Sequence, residues 1–268
     1  MSKRPPPKKR LGQHFLEAAW ADKVVDAIGP MPADRFVEIG PGPGALTVRL
    51  APRVAHVTAV EVDAAMIGAL TPRLPPNVDL VHRDFLQFDL ADVSAAHPIR
   101  VAGNLPYNVS SPILFHLLSA YRQGGRIIDA SVMLQLEVAE RIEAAPDTRE
   151  YGVLSILVQL HADVRRLLTL PPGAFRPMPD VRSAVLRLAF HPPVHEVGDH
   201  HTFETLVRTM FMQRRKTLLN ALRPFAETRG GRPGAVLESA GIDGRRRPET
   251  LTLAELARIA RGFGSVQT

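Results

Sequence analysis

The sequence of 268 residues contains no cysteine, which excludes disulfides, thiolate metal sites and cysteine nucleophiles. It has no apolar run long enough to span a bilayer, and its basic N-terminus lacks the apolar segment of a signal peptide. Hydrophobic residues make up 45% and charged residues 22%, which is typical of a globular protein. We therefore expect a cytoplasmic protein without membrane contact, built from one large and one small domain.

Positive charge is concentrated at the two ends of the chain. Residues 1–10 carry five basic groups and no acid, residues 201–268 carry a net charge of +6, and residues 11–200 carry −5. A basic flank indicates a polyanion partner, and it is equally compatible with a solvated surface. Charge alone does not decide between these interpretations.

Apolar runs alternate with helical stretches through most of the chain, a pattern that predicts a parallel α/β sheet. The strand candidates are 35–39, 56–63, 77–84, 98–104 and 126–134, and 181–190 is expected to close the sheet as an edge strand. The stretch 191–201 is rich in Pro and His and is interpreted as a linker. Helical segments alone are predicted after it, over 202–212, 214–222, 233–240 and 252–262.

A glycine-rich turn, VEIGPGPGALTVRL (37–50), follows the first strand candidate. Glycines let a backbone approach a ligand closely, and Glu61 ends the next strand, where a carboxylate can hold two ribose hydroxyls. The pair predicts a nucleoside-containing cofactor. The spacing of Gly40, Gly42 and Gly44 departs from a dinucleotide fingerprint. Glu38 would repel a pyrophosphate and suit a cation such as a sulfonium, or else serve as a partner within the loop.

Asp84 follows the third strand candidate, at the edge of the sheet where ligands bind. A carboxylate there can accept a hydrogen bond from the exocyclic amine of an adenine ring. Capping of a helix is the alternative role for Asp84.

The stretch VAGNLPYNVSSP (101–112) ends the fourth strand candidate with an amide, a rigid turn and an aromatic ring. The side-chain oxygen of Asn104 and the carbonyl of Leu105 could accept both N–H bonds of a base amine and so localise its lone pair. Pro106 keeps the turn rigid, and Tyr107 can stack on the base. The stretch predicts a site for the amine of a flipped-out base, with a purely structural turn as the alternative.

These motifs together resemble the small-subunit ribosomal RNA adenine dimethyltransferases of the KsgA/RsmA type. The resemblance covers nearly the whole chain. It is carried by KKRLGQHFL (8–16), VEIGPGPGALT, GNLPYNVSSPILFHLL, PGAFRPMPDVRSAVLRL (172–188), QRRKTLLNAL (213–222) and GIDGRRRPETLTLAELARIA (241–260). All of these motifs in order are highly specific.

The resemblance implies a Rossmann-like class I methyltransferase domain that uses S-adenosylmethionine, followed by a small all-helical domain. It implies cofactor contacts at His14, Leu16, Gly40, Glu61, Asp84 and Asn104. It implies catalytic roles for Asn104, Leu105, Pro106 and Tyr107, with Phe175 as a second stacking face for the adenine. The implied boundaries are 1–16 for a basic tail with a cofactor-contact motif, 17–190 for the methyltransferase domain, 191–201 for the linker and 202–268 for a helical RNA-binding domain.

The implied activity is N6,N6-dimethylation of two adjacent adenines near the 3′ end of small-subunit (16S) rRNA, with a role in ribosome biogenesis. The expected partner is a pre-assembled small subunit, and the protein itself is expected to be a monomer. Its phosphate contacts are expected at Lys8, Lys9, Arg10, Arg214, Arg215, Lys216 and Arg245 to Arg247.

Three other functions remain as alternatives. The related large-subunit rRNA methyltransferases that confer antibiotic resistance are disfavoured by Leu105, where those enzymes carry Ile, and by RRRPETLTL. A non-catalytic assembly factor is disfavoured by the intact motifs, and a dehydrogenase by the glycine spacing. His191, His195, His200 and His201 lack the regular spacing of a metal site, so no metal is expected.

Overall fold

Parallel strands at the centre of a sheet contain the apolar runs that the sequence predicts. The computed structural model describes residues 13–229 and 231–264, and within them one sheet has seven strands and another has two. The strands are β1 Phe15–Leu16, β2 Arg35–Ile39, β3 His56–Glu61, β4 Val78–His82, β5 Ile99–Asn104, β6 Ile127–Gln135, β7 Ala162–Leu170, β8 Phe175–Arg176 and β9 Ser183–Phe190. The order across the large sheet is β4-β3-β2-β5-β6-β9-β7, and β1 pairs with β8.

Strands β2 to β6 are all parallel, which confirms the predicted α/β sheet. Their connections carry short helices, namely α1 Ala18–Ile28 before β2, then α2 Thr47–Leu50, α3 Ala64–Leu70, α4 Leu90–Ser94 and α5 Ser110–Arg122. Strands β2, β3 and β5 are buried along nearly their whole length, as continuous apolar runs require. Their carboxyl ends meet at one edge of the sheet, where ligands bind in such folds.

Strand β9 is not the edge strand that the sequence predicts. It pairs antiparallel with β6 and has β7 on its other side, so β7 forms the edge. Sequence reasoning missed β7 because exposed charged residues, Asp163, Arg165 and Arg166, interrupt its apolar pattern. An edge strand tolerates such side chains, and they also discourage pairing with a further strand.

The described residues form two units, each built from two separate stretches of sequence. The first comprises the residues up to Ala139 together with Asp163–Phe190. The second comprises Glu140–Ala162 together with the residues from His191 onward. The sheet belongs to the first unit, and the second is mainly helical.

The predicted domain 17–190 is therefore interrupted, and its boundaries need correction. The inserted stretch Glu140–Ala162 finds its partners among the later helices. The ring of Tyr151 is only 1% exposed, and its hydroxyl donates to the carbonyl of the buried Leu251 over 2.9 Å. A buried hydroxyl needs such a partner. The stretch Glu140–Ala162 therefore depends for its packing on the later helices of the second unit.

One helix of the second unit, α8, begins earlier than predicted, whereas α9 begins later, at Leu218. Helix α8 starts at His200, inside the predicted linker 191–201, because the side chain of Asp199 accepts the N–H of Thr202 over 2.7 Å and caps the helix. The later helices are α6 Leu136–Glu143, α7 Val153–Gln159, α8 His200–Met212, α9 Leu218–Ala221, α10 Arg223–Arg229, α11 Pro233–Ser239 and α12 Leu253–Gly264. None of the helices in the described residues has the length and apolar character that a membrane crossing requires.

Candidate active site

A cavity of about 220 Å³ opens in the first unit, at the carboxyl ends of the parallel strands. Its walls come from five segments, around residues 13–16, 38–46, 60–62, 83–86 and 104–109. Four of these segments lie at the carboxyl ends of β2, β3, β4 and β5. The fifth, 13–16, contains β1. Such an edge, where parallel strands end side by side, is where α/β proteins bind ligands.

The glycine-rich turn after β2 forms one wall of the cavity. Gly40, Gly42 and Gly44 have φ values of +61°, +53° and +85°, in the left-handed region that other residues rarely adopt. A Cβ at Gly44 would also lie 2.5 Å from Cδ1 of Leu70. The turn therefore requires glycine for its own shape, and its backbone lines the cavity.

Glu61 ends β3 and ties the glycine turn to that strand. One carboxylate oxygen accepts the N–H of Gly42 over 2.9 Å, and the other accepts the N–H of Asp63 over 2.8 Å. Burial raises the pKa of the Glu61 carboxyl, because a buried charge is poorly solvated. Each carboxylate oxygen has a further lone pair that remains available to a ligand in the cavity.

Glu38 is a buried carboxyl group at the base of the cavity. Its side chain is 1% exposed, and within the described residues its Oε2 atom has no hydrogen-bond partner. Burial raises its pKa from 4.5 to about 7. An unpartnered carboxylate oxygen at this position favours a cationic ligand, which would compensate its charge.

The turn after β5 brings the predicted amine-binding groups to the opposite wall. The amide nitrogen of Asn104 donates to the carbonyl of His14 over 2.7 Å. Because a carbonyl oxygen only accepts, this bond leaves Oδ1 of Asn104 as an acceptor. Within the described part of the chain, neither that Oδ1 nor the carbonyl of Leu105 receives a hydrogen bond. Pro106 accepts from the N–H of Val109 over 3.1 Å and so closes the turn.

Tyr107 stands beside this turn with its ring held at two places. Its hydroxyl lies 2.8 Å from the hydroxyl of Ser183, and its ring stacks on that of His14 with centroids 5.3 Å apart and an angle of 24° between the planes. Burial raises the pKa of the Tyr107 hydroxyl, so the group stays neutral. The arrangement presents two acceptors and a neutral aromatic ring at one mouth of the cavity.

All segments that line this cavity fall within residues 6–260, which match the family described as ribosomal RNA adenine dimethylase. The chain belongs to this family.

Similar proteins cover the chain almost from end to end. It is 42% identical to the Ribosomal RNA small subunit methyltransferase A of Xanthomonas campestris pv. campestris (strain 8004) over 259 residues, 95% of each chain. It is 43% identical over 258 residues to a protein of the same name from Pseudomonas fluorescens, which covers 94% of this chain and 92% of that one.

Solved structures share the fold. The 23S rRNA methyltransferase ErmE is 25% identical and has a TM-score of 0.67. The superposition covers 93% of this chain and 99% of that one. A dimethyladenosine transferase from Plasmodium falciparum is 23% identical, with a TM-score of 0.78 over 94% of this chain and 98% of that one. The Rossmann-like architecture expected from the sequence is thereby confirmed.

In this rRNA adenine dimethylase, the cavity brings together nine of the ten site residues predicted from the sequence. These nine are His14, Leu16, Gly40, Glu61, Asp84, Asn104, Leu105, Pro106 and Tyr107. Asp84 lines the cavity, and it also has its alternative role as a cap, since it accepts the N–H of Leu86 at the start of a short helical turn over 3.0 Å. One carboxylate oxygen of Asp84 therefore remains for a ligand.

Phe175 is the predicted site residue that the structure does not bring to the cavity. Its ring is fully buried and packs in the core with Leu16, Phe36 and Val185. The pairing of β8 with β1 fixes this position, because Phe175 lies opposite Leu16 in the register. In this structure the ring has no exposed face and packs in the core, and its stacking on an adenine stays a prediction.

Two residues that sequence reasoning missed support the dimethylase site. Ser183 holds the hydroxyl of Tyr107, and Gln13 donates to a carboxylate oxygen of Asp63 over 3.2 Å beside the cavity. Ser183 lies within the family motif PGAFRPMPDVRSAVLRL (172–188), so the motif contained the signal. Its partner could not be inferred, because Tyr107 lies in a different motif.

Metal-ligating side chains do not cluster in the described residues. No group of three or more His, Cys, Asp or Glu side chains within them is arranged to hold a metal ion. His200 and His201 belong to helix α8 and His191 and His195 precede it, so the four histidines lie in two different local environments.

Proposed function

We propose that this protein transfers methyl groups from S-adenosylmethionine to the N6 amines of two adjacent adenines near the 3′ end of small-subunit (16S) rRNA, two methyl groups to each. The observation that carries the proposal is the polarity of the turn after β5. The bond from Asn104 to the carbonyl of His14 leaves Oδ1 of Asn104 and the carbonyl of Leu105 as two acceptors at the cavity. An exocyclic amine has two N–H groups to offer them.

The residues around the cavity fit S-adenosylmethionine, which supplies an electrophilic methyl group on a sulfonium. The unpartnered Oε2 of Glu38 suits the cation, and Glu61 suits the ribose hydroxyls. Asp84 suits the amine of the adenine ring, and the backbone at Gly40 permits close approach. His14 and Leu16 complete the wall.

The amine of adenine is a poor nucleophile because its lone pair is delocalised into the ring. Hydrogen bonds from the amine to Asn104 and Leu105 draw the nitrogen toward tetrahedral geometry and localise that pair. Pro106 keeps the carbonyl of Leu105 aimed, and Tyr107 holds the flipped-out base by its face. Acceptors fixed before reaction act more strongly than mobile ones, because no reorganisation is needed at the moment of transfer.

A second transfer to the same nitrogen needs no new group. A monomethylated amine retains one N–H and a lone pair that can be localised. The amine nitrogen becomes acidic only after it has gained the methyl group, and its proton then passes to water, so no side chain has to act as a base beforehand. A base held by its face at Tyr107 can shift enough for a first methyl to replace one N–H.

The small ribosomal subunit is favoured over the large one by the degree of likeness. The relatives named for the small subunit are 42–43% identical over nearly the whole chain, whereas ErmE is 25% identical. A dehydrogenase is disfavoured by the spacing of Gly40, Gly42 and Gly44 and by the carboxyl of Glu38. A purely structural assembly factor would not need two unpartnered acceptors at a cavity.

The proposal extends to the partner and the place of action. The substrate is a pre-assembled small subunit, to which the protein binds as a monomer in the cytoplasm through its helical unit. Basic residues on that unit provide the attraction to phosphates.

The test is methylation by the purified protein of small subunits, large subunits and free 16S rRNA from cells that lack this activity. Nucleoside mass spectrometry over time, with excess cofactor, is expected to show monomethyladenine first and dimethyladenine as the end product, on small subunits alone. Accumulation of monomethyladenine as the end product would contradict the dimethylation. Modification of large subunits instead would assign the protein to the antibiotic-resistance class.

A further inference from the structure

We propose that the side chains of His14 and Ser183 hold the ring of Tyr107 in the orientation that receives the target adenine. His14 is then a positioning residue for the base, and its side chain is not a cofactor ligand. This inference rests on the proposed function, because it assigns the wall of the same cavity to the base.

Tyr107 is fixed at its hydroxyl and on one face. The hydroxyl lies 2.8 Å from Oγ of Ser183, and the face is covered by the imidazole of His14, 5.3 Å away between centroids. The two rings lie 24° from parallel, which is a stacked arrangement. Tyr107 lines the cavity and is only partly buried, so the proposal assigns its opposite face to the base, and adenine would become the third layer of a stack.

His14 is itself held in place by its imidazole. Nδ1 lies 2.8 Å from the carbonyl of Pro177, and since a carbonyl only accepts, Nδ1 is the donor. The register of β1 and β8 pairs Phe15 with Arg176, so His14 and Pro177 are the next pair along the ribbon. Pro177 has no N–H to continue the ladder, and the side chain of His14 supplies a bond at this position.

The main chain and the side chain of His14 make different contacts at the cavity. Its carbonyl anchors the amide of Asn104, whereas its imidazole contacts Tyr107 and Pro177. A substitution at position 14 changes the imidazole contacts and leaves the carbonyl of the main chain in place. The two roles can therefore be separated by experiment.

A tyrosine that is already oriented loses less rotational freedom when the base arrives. This smaller entropy loss favours the step in which the adenine stacks on Tyr107 and its amine binds the two acceptors. Loss of the ring of His14 should therefore reduce the rate of methyl transfer and leave binding of the cofactor unchanged.

The test compares His14→Ala, His14→Phe and Ser183→Ala in the full-length protein. We expect His14→Ala to lower kcat about tenfold, with the dissociation constant for S-adenosylmethionine within twofold of wild type by calorimetry. His14→Phe keeps a ring against Tyr107 and is expected to recover most of the rate. Ser183→Ala and Tyr107→Phe are expected to have similar effects, and their combination should be no worse than either alone, because both remove the same bond.

Two outcomes would overturn the proposal. One is a cofactor dissociation constant raised tenfold or more in His14→Ala with kcat unchanged, which would make the imidazole a cofactor ligand. The other is a His14→Phe variant as slow as His14→Ala, which would show that stacking is not the function of the ring.

A second measurement does not depend on methylation. The chain has three tyrosines, so fluorotyrosine labelling gives three signals, and Tyr107→Phe identifies one of them. His14→Ala should shift the Tyr107 signal and leave that of Tyr121, which stacks on Phe190, in place. An unchanged Tyr107 signal contradicts the contact itself. If wild-type protein fails to methylate rRNA but the signal shifts, the proposed function fails and the contact stands.

Discussion

The amide nitrogen of Asn104 and the carbonyl oxygen of His14 lie 2.7 Å apart, although the two residues are separated by 90 positions in the sequence. The bond fixes which end of the amide faces the cavity. Reversing the amide would bring two oxygens together and cost a hydrogen bond, so Oδ1 is held as an acceptor. The N-terminal segment thus sets the polarity of a group that belongs to the turn after β5.

Asn104→Ala removes one of the two acceptors for the amine. We expect methyl transfer to fall by about 10²–10³-fold, as for loss of one preorganised polar group in an active site, with little change in affinity for RNA. Single-turnover rates and filter binding measure the two effects. Cofactor affinity must be measured in parallel, because Asn104 lines the same cavity. Near-normal turnover in Asn104→Ala would be incompatible with the mechanism.

The buried carboxyl of Glu38 should make the protein without cofactor less stable as pH rises. Its pKa is about 7 in the folded protein and 4.5 in the unfolded chain, so between these values the folded state holds a proton that the unfolded state has released. The contribution of Glu38 to the free energy of unfolding is fully present below pH 4.5. It falls by about 3 kcal/mol as pH rises to 7. Denaturant unfolding across this range should show the fall.

Glu38→Gln is the matched variant, because it keeps the shape and cannot ionise. The stability of this variant should decline less between pH 5 and pH 8 than that of wild type. Glu61 also has a raised pKa and contributes in the same direction in both proteins, so the difference reports the ionisation of Glu38 together with its repulsion by Glu61. Affinity for the cationic cofactor should be lower in Glu38→Gln at pH 8. Identical pH profiles for the two proteins would remove Glu38 from this role.

The basic residues predicted to bind phosphate divide into two groups in the structure. Arg214 donates to the carbonyl of Thr148 over 2.9 Å and approaches Glu249, and Arg246 is paired with Glu255 at 2.5 Å, so both have partners within the helical unit. Arg245 pairs with Asp243 at an exposed position. Lys8, Lys9 and Arg10 lie outside the described residues.

Arg215, Lys216 and Arg247 are exposed and make no ion pair within the described residues. Their replacement together by Ala should flatten the dependence of log K for RNA on log salt by about 2–3, since each phosphate contact contributes about 0.7–0.9. Arg214→Ala is the control, and it should lower the stability of the fold more than it changes the slope. An unchanged slope in the triple variant would assign these residues to solvated surface.

Phe175 should behave as a core residue. Phe175→Ala is expected to lower the free energy of unfolding by about 3–5 kcal/mol, and Phe175→Leu by less, because the ring is fully buried. Denaturant unfolding measures both. At a temperature where Phe175→Leu is folded, methyl transfer should be close to that of wild type. A stable Phe175→Leu variant with a large loss of kcat and normal cofactor affinity would restore the stacking role.

The sequence predicted most of the cavity because its parts follow parallel strands. The glycine turn, Glu61, Asp84 and the turn at Asn104 each come directly after an apolar run, and such runs end at one edge of a sheet. Their local order therefore predicts their spatial neighbourhood. No comparable rule places Phe175, since its position depends on the pairing of β1 with β8, two strands of two residues each.

The contacts that orient the site could not be predicted for a similar reason. Ser183 lies 76 positions from Tyr107, and His14 lies 163 positions from Pro177. Hydrogen bonds over such separations depend on register and packing, which no local pattern encodes. Strand β7 was missed on different grounds, because its charged residues at a sheet edge resemble a loop in sequence.

The two units alternate along the chain, and this order has a consequence during synthesis. Residues Glu140–Ala162 leave the ribosome before the helices from His191 onward, against which Tyr151 is buried. Strands β7 and β9 also leave the ribosome before those helices, so there is an interval in which Tyr151 lacks its partners and the nascent chain is open to misassembly. For the same reason, ending translation at residue 190 would leave the sheet unit with an insertion that lacks its partners, and separating the two units genetically would require joining residue 139 to residue 163 and residue 162 to residue 191.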